Sequence, residues 1–398
     1  MQKYSLSLFL EINNSQFTFL VAKIDDQNYC EVEYKLKIPL TGIMEGKISD
    51  LDNFSNSIKK NVYLIEQKLK HTFKEIILII NNFNQSFINL SGYKKLNGTQ
   101  ILRENITYIL NDLKSYVEIN EPKKTIMHIF NTTFKLDHKK IDNLPIGLFG
   151  DFYSHELSFL LIDKNDYKNL SNIFDNSGLR IKKILFKSFI KSVYINNQHQ
   201  NCETFFQIKL SANNSKIFYF ENNSLKFEQN FKFGTDLIIQ DISKITSLKK
   251  EKIKLILNEI NLINEFSDKD VVDKKFFEKE PFRKIKKKLI YDIALARIEE
   301  IADLLIFKNV NLKNYVRFSK VIFLNIKSKQ QIEGLNKVFQ TIFSKNGVYD
   351  LKLIHDMSSE NLLNTTNKLV HFGWNKEVIP TSKIKKSIIS RLFETIFD

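Results

Sequence analysis

The 398-residue chain has few of the residues that punctuate or cross-link a backbone: 11 Gly, 5 Pro, 2 Cys and 1 Trp. So little Gly and Pro excludes a collagen-like or linker-rich chain and counts against an enzyme assembled from several glycine loops. Two cysteines, Cys30 and Cys202, build no disulfide framework, and their scarcity suits a reducing compartment. Apolar runs such as 76–80 fall far short of the ~20 residues that cross a bilayer. The apolar stretch 5–10 ends at Glu11 and is expected to be a strand, with no signal peptide. The 7 histidines are scattered, with no Cys or carboxylate at ligand spacing, so no metal centre is expected. No G-x-S-x-G, Walker or Cys–His nucleophile pattern occurs.

What the chain does have is 34 Phe and a 43% hydrophobic content, enough for a folded core. It also carries a net charge of +15, from 60 Lys and Arg against 45 Asp and Glu. Such an excess favours an anionic partner, a phospholipid surface or an acidic peptide. Nucleic acid is not expected, because no recognition motif or interleaved aromatic platform accompanies the charge.

Periodicity predicts three strands, Ser5–Ile12, Gln16–Ile24 and 30–38, then a helix over 51–71 and a buried strand at 76–80. The second half repeats the order, with strands 204–210, 216–220 and 225–231, helices, and the strand 321–324. Two β-β-β-α-β halves suggest a duplicated α/β fold with a cleft between lobes. Residues 84–163 do not fit the duplication and read as an inserted α+β module.

The end of the chain carries an amphipathic pattern. At 100° per residue, Ile388, Ile389, Leu392, Phe393, Ile396 and Phe397 fall on one half of a helical wheel, preceded by Lys383, Lys385 and Lys386. An apolar arc with a basic start is expected to lie on an anionic membrane surface, the lysine stems snorkelling.

Five motifs stand in order along the chain: Gly42-Ile-Met-Glu-Gly-Lys-Ile-Ser-Asp-Leu51, Asn143-Leu-Pro-Ile-Gly-Leu-Phe-Gly150, Asp241 and Ile242 after Gly234, Gln331-Ile-Glu-Gly-Leu335, and His371-Phe-Gly373. Together they resemble FtsA, the actin-like bacterial division protein. The first looks like the G-x-x-x-G-x-I-x-D-L before its first long helix, the second like the N-P-x-G-L-x-G of its inserted subdomain, and the rest like later family motifs. The resemblance implies an actin-like, ribonuclease H-like two-lobed fold. Its lobes would be 1–83 with 164–202, and 203–240 with 310–377. It also implies an inserted subdomain at 84–163, an outer subdomain at 241–309, and a linker with a membrane helix at 378–398.

The family holds ATP between two glycine-turn hairpins, and this chain departs from both. The first reads Glu11-Ile-Asn13-Asn14-Ser-Gln16; the second reads Lys209-Leu-Ser211-Ala212-Asn213-Asn214-Ser-Lys216. An adenosine-side T-G-G is replaced by Ile326-Lys327-Ser328. Glycine serves where φ is positive or the backbone touches a ligand, and lysine cannot ligate Mg²⁺. The nucleotide site is therefore expected to be degenerate, with no cofactor and no hydrolysis, Lys209 and Lys216 being solvated or paired to Glu11. ATP is implied by resemblance only. The resemblance further implies that the outer subdomain binds the C-terminal peptide of FtsZ, with Arg297 matching an arginine of that region and Lys286 and Lys287 in the basic run before it. The function expected is a scaffold on the inner face of the cytoplasmic membrane, self-associating for avidity. The alternatives are an actin-like pilus-assembly protein of the PilM type and an active ATPase of the actin superfamily.

Overall fold

The computed structural model describes residues 4–81, 83–199, 202–277, 281–317, 319–327, 332–346 and 349–378. Ser328 of the third turn lies outside these residues, as do the membrane-face residues Lys385, Lys386, Ile388, Ile389, Leu392, Phe393, Ile396 and Phe397. The chain divides into two compact units, one of residues 1–190 with the chain from 359 onward, the other of residues 191–358.

In the first unit a meander of β1 (Ser5–Ile12), β2 (Gln16–Ile24) and β3 (Cys30–Pro39) leads to a small hairpin, β4 (Ile43–Met44) and β5 (Lys47–Ile48). Helix α1 (Leu51–Leu69) follows. Asp50 caps it, its carboxylate accepting from the Asn53 N–H at 2.9 Å. Phe54, Ile58, Val62 and Ile65 recur at helical spacing and are buried, and the Phe54 ring stacks on Phe17 at 5.1 Å. Strand β6 (Glu75–Ile80) is apolar on both faces and runs parallel to β1, as a covered central strand requires.

The inserted module consists of β7 (Gln85–Lys95), α2 (Arg103–Asn120), β8 (Lys124–Leu136), β9 (Lys139–Ile141) and β10 (Phe152–Asp163). Ile109, Leu113 and Val117 of α2 pack on one face of its sheet against Tyr153, Leu157 and Phe159. Helix α3 (Lys164–Asp175), strand β11 (Arg180–Phe186) and helix α4 (Lys187–Gln198) return to the first sheet, whose order is β11-β6-β1-β2-β3.

The second unit repeats that plan. Strands β12 (Phe205–Ser211), β13 (Ser215–Glu221) and β14 (Ser224–Phe231) form an antiparallel meander. Helices α5 (Asp236–Thr246), α6 (Lys250–Glu259) and α7 (Lys287–Ala302) follow, α7 continuing through a π-helical turn at Asp303–Phe307. Then come β15 (Val321–Lys327), α8 (Leu335–Asn346) and β16 (Asp350–Leu353), in the sheet order β14-β13-β12-β15-β16. In each sheet three antiparallel strands are joined by two parallel ones, so β1, β2, β3, β6 and β11 correspond to β12, β13, β14, β15 and β16.

The end of the described chain corrects one expected boundary. Residues 359–377 were assigned with the second lobe, but α9 (Ser359–His371) and β17 (Glu377–Val378) belong to the first unit. Asn364 clamps α9 to β3, its Oδ1 accepting from the Cys30 N–H at 2.8 Å and its Nδ2 donating to the Cys30 carbonyl at 3.0 Å. Strand β17 adds to the inserted sheet beside β8, giving the order β17-β8-β10-β7. Glu377 is buried there, 2.5 Å from His128 Nδ1 and 3.3 Å from Lys183 Nζ. Burial alone would raise its carboxyl, but the His128 hydrogen bond and the charges of His128 and Lys183 hold it below the usual range.

Candidate functional site

The two hairpin turns are closed by protein contacts, each within its own unit. In the first, the Asn13 N–H donates to the Gln16 carbonyl at 3.0 Å, leaving Asn14 and Ser15 as the two turn residues. The Asn13 side-chain oxygen accepts from Asn81 Nδ2 at 2.9 Å, and the Ser15 carbonyl accepts from the Leu40 N–H at 3.0 Å. Gln16 turns back onto its own strand, its Nε2 donating to Thr18 Oγ1 at 3.2 Å. Glu11 is buried and paired with Lys187.

In the second hairpin the Ser211 N–H donates to the Asn214 carbonyl at 2.9 Å around Ala212 and Asn213. The Ser211 and Ala212 carbonyls accept from the Thr235 and Asp236 N–H groups, at 3.0 and 2.9 Å, where α5 begins. These donors are among the orphan amides of the helix start, so the hairpin acts as their cap. Gly234 lets the two backbones touch: a Cβ there would stand 2.0 Å from the Ser211 carbonyl oxygen. None of Asn13, Asn14, Ser15, Ala212, Asn213 or Asn214 has a positive φ. Glycine is therefore not needed to close either turn.

The lysines of the second unit have carboxylate neighbours within that unit. Lys209 and Lys216 are direct cross-strand partners. Lys216 pairs with Glu228 at 3.4 Å. Glu228 is fully buried, and desolvation raises its carboxyl above the usual range despite Lys216. Lys327 pairs with Asp356 at 3.0 Å. Burial alone would raise the Asp356 carboxyl, but the Lys327 hydrogen bond and the charges of Lys327, Lys191 and Lys209 hold it low. Among the described residues no group of His, Cys, Asp and Glu could hold a metal ion.

A separate groove of about 520 Å³ lies between α5 and α7. Asp241, Lys244 and Ile245 line it from α5; Asp292, Ile293, Ala296, Arg297 and Glu300 line it from α7. Ile290, Ala294, Ile298 and Ile301 carry the buried stripe of α7, which turns the groove residues outward. Arg297 pairs with Asp241 and, at 2.6 Å, with Glu300, so its guanidinium is held at the groove with Ile245 60% exposed nearby. Lys286 and Lys287 do not line the groove; they face an acidic loop over residues 265–273, 3.4 Å from Asp268 and 3.8 Å from Asp273. Arg283 caps the end of α5, donating to the Thr246 and Ser247 carbonyls at 3.1 and 3.2 Å. Of the three expected partner-binding residues, only Arg297 is at the groove. The apolar contributors Ile245 of α5 and Ile293 and Ala296 of α7 were not among the expected residues, although the three-residue step from Ile293 to Ala296, off the buried stripe, marks a second face of α7.

No family model matches the chain. The cell division protein FtsA of Helicobacter pylori strain J99 is 18% identical over 170 residues, 43% of this chain and 34% of that protein. FtsA of strain 26695 matches equally. The matched part thus spans about a third of the length of these curated relatives. A solved structure, the PilM-PilN type IV pilus biogenesis complex, aligns over 92% of this chain and 95% of its own, at 11% identity and a TM-score of 0.51. With the duplicated five-stranded sheets, that likeness shows a two-lobed, actin-like α/β fold.

Proposed function

We propose that the chain is a scaffold of the FtsA kind, which captures the C-terminal peptide of FtsZ in the α5–α7 groove and tethers it to the cytoplasmic face of the membrane. The observation that carries this reading is the groove, where the exposed Ile245 and the anchored Arg297 offer an apolar floor beside a fixed cation. A peptide with an apolar anchor fits such a surface, on which Arg297 is held between Asp241 and Glu300. The partial likeness to FtsA supports the choice of partner. The amphipathic pattern of 387–398, with its basic start, supports lipid as the second contact. No helix among the described residues is long and apolar enough to cross a membrane. The second hairpin supports a scaffold without ATP hydrolysis, because the Ser211 and Ala212 carbonyls are engaged by protein and lysines stand where the resemblance places carboxylates that hold Mg²⁺. Self-association would multiply weak single contacts into useful avidity.

Fluorescence anisotropy with a labelled FtsZ C-terminal peptide tests the reading. Ile245→Asp changes an exposed side chain and should weaken binding about tenfold or more, with the fold intact. Equal affinity for both proteins rejects the groove. The likeness to the PilM-PilN complex favours a second reading, a pilus-assembly scaffold. Binding of a PilN segment with no binding of the FtsZ peptide would select it.

A further inference from the structure

The loop at 143–150 has no role in the scaffold reading, and it is apolar where tight turns are usually polar. Phe149 is 69% exposed, with Leu144, Ile146 and Leu148 exposed in the same loop. Leu102, also exposed, adds to them from the segment alongside. Backbone bonds join that segment to the loop: the Ile101 N–H donates to the Leu148 carbonyl at 2.8 Å, and the Gly147 N–H donates to the Ile101 carbonyl at 2.9 Å. Ile101 is buried in the α2 core and Pro145 is buried too, so the apolar knob stands on a fixed foot.

The apex is a tight turn, in which the Leu148 N–H donates to the Pro145 carbonyl at 3.2 Å around Ile146 and Gly147. Gly147 supplies the positive φ, +89°, that the third residue of a type II turn takes. Gln100 Nε2 donates to the Gly147 carbonyl at 2.8 Å. Two amides and three carbonyls at the apex are thus paired inside the protein, and taking these groups out of water strands none of them. Large apolar side chains on such a tip mark a contact with something apolar.

We propose that the loop is a membrane contact of its own, with Ile146, Leu148 and Phe149 inserted among the headgroups of an anionic bilayer. Charge selects that occupant. The positions around the knob, 94–95, 103–104, 135–142 and 151 with Lys376, hold seven cations and four carboxylates. Anionic lipid is attracted by this excess, whereas the same face of a second copy is repelled by it. The course of the chain agrees. Lys376 Nζ donates to the Asp142 carbonyl at 3.1 Å, at the start of the loop. Lys383, where the amphipathic segment begins, is five residues past Val378, at most about 18 Å of extended chain. Loop and segment are therefore within reach of one membrane surface. This inference rests on the membrane part of the scaffold reading and adds a contact that the end of the chain does not supply.

Tryptophan fluorescence and flotation of the full chain, with vesicles of mixed phosphatidylglycerol and phosphatidylcholine, test it. Phe149→Trp should emit as an exposed tryptophan in buffer, then shift to the blue and be quenched by brominated acyl chains when vesicles are added. The parent, whose one tryptophan is Trp374, gives the background. Leu148→Glu with Phe149→Glu should weaken flotation about tenfold or more at an unchanged melting temperature, and Phe149→Leu should leave it as it was. Emission already blue before lipid is added would overturn the proposal, because the loop would then be covered by protein. So would vesicle-bound protein without quenching at 149, or equal flotation of the paired glutamate variant. Leu392→Glu with Phe393→Glu separates the two contacts. If that change abolishes flotation and the loop change has no effect, the tether stands and this proposal falls. If flotation survives it but not the loop change, the tether fails and this contact stands.

Discussion

Gly234 is the position where the second unit is least able to accept a methyl group. Its added Cβ would stand 2.0 Å from the Ser211 oxygen, 2.5 Å from the Ala212 oxygen and 2.7 Å from the Ala212 carbonyl carbon. All three are backbone atoms, so no side chain can rotate away. Relief requires the hairpin and the start of α5 to separate, which breaks the Thr235–Ser211 and Asp236–Ala212 hydrogen bonds. Overpacking of this kind costs about 1–3 kcal/mol, and each lost bond about 0.5–1.5 kcal/mol. Gly234→Ala should therefore destabilise the fold by at least about 2 kcal/mol, a fall of about 4–8 °C in melting temperature for a unit of this size. Gly178 is the control: its φ is +72° and nothing lies within 4 Å of its added Cβ. Gly178→Ala should cost about 1 kcal/mol through the left-handed backbone alone, and Gly178→Asn less. Calorimetric or circular-dichroism melts of the three variants decide the matter. A Gly234→Ala variant within about 0.5 kcal/mol of the parent would refute the reasoning, as would an order in which Gly178→Ala is the worse.

Calorimetry should show no micromolar Mg²⁺-dependent affinity for ATP, since Lys209 and Lys216 stand where the resemblance places metal-holding carboxylates; steady turnover above background would contradict this. Reversing Lys286 and Lys287 should weaken FtsZ-peptide capture less than Arg297→Glu does, because both lysines face the acidic loop outside the groove, and raised salt should weaken capture in every variant. His155 is buried with its Nδ1 unpartnered, and desolvation lowers its pKa to about 4. Between about pH 6.5 and 4 the unfolded chain therefore binds a proton that the folded chain refuses, and stability falls as pH falls, by about 3 kcal/mol in all. Denaturant titrations at stepped pH should show His155→Leu flattening that limb, and an unchanged slope would refute the assignment. Truncation before Lys383 should abolish flotation with anionic liposomes at an unchanged melting temperature; a lowered melting temperature with no flotation by the parent would reject the tether.

The alternation of Phe17, Phe19 and Val21, the solid run at 76–80 and the 3.6 period of α1 are strong periodic signals, and the sheets follow them closely. The return of α9 to β3 was not legible because polar side chains fix it. A bidentate Asn364 clamp on one peptide unit leaves no trace in hydrophobic periodicity. The groove was half legible for a related reason. Asp241 and Arg297 each stood out, but their pairing joins residues 56 apart in sequence. Lys286 and Lys287 looked equally good as partner contacts, because a charge run does not reveal which acids the fold sets against it.

The hairpins show why a degenerate motif need not be a damaged fold. A glycine turn against a ligand serves two separable needs, a backbone conformation and an open approach. Here the conformation has become ordinary, with negative φ throughout both turns, so Asn, Ser and Ala close them without strain. Around the turns the protein meets itself: the Ser211 and Ala212 carbonyls meet the first amides of α5, and the Asn13 side chain meets Asn81. One glycine is required outside the turn, at Gly234, where backbone touches backbone. Reinstating glycine at Ala212 or Asn213 would therefore loosen the turn without freeing the carbonyls that α5 occupies. The stability of this hairpin depends on α5, the helix that also supplies Asp241 and Ile245 to the groove. In this fold, contacts that in the scaffold reading no longer serve a nucleotide anchor one wall of the surface that takes a peptide.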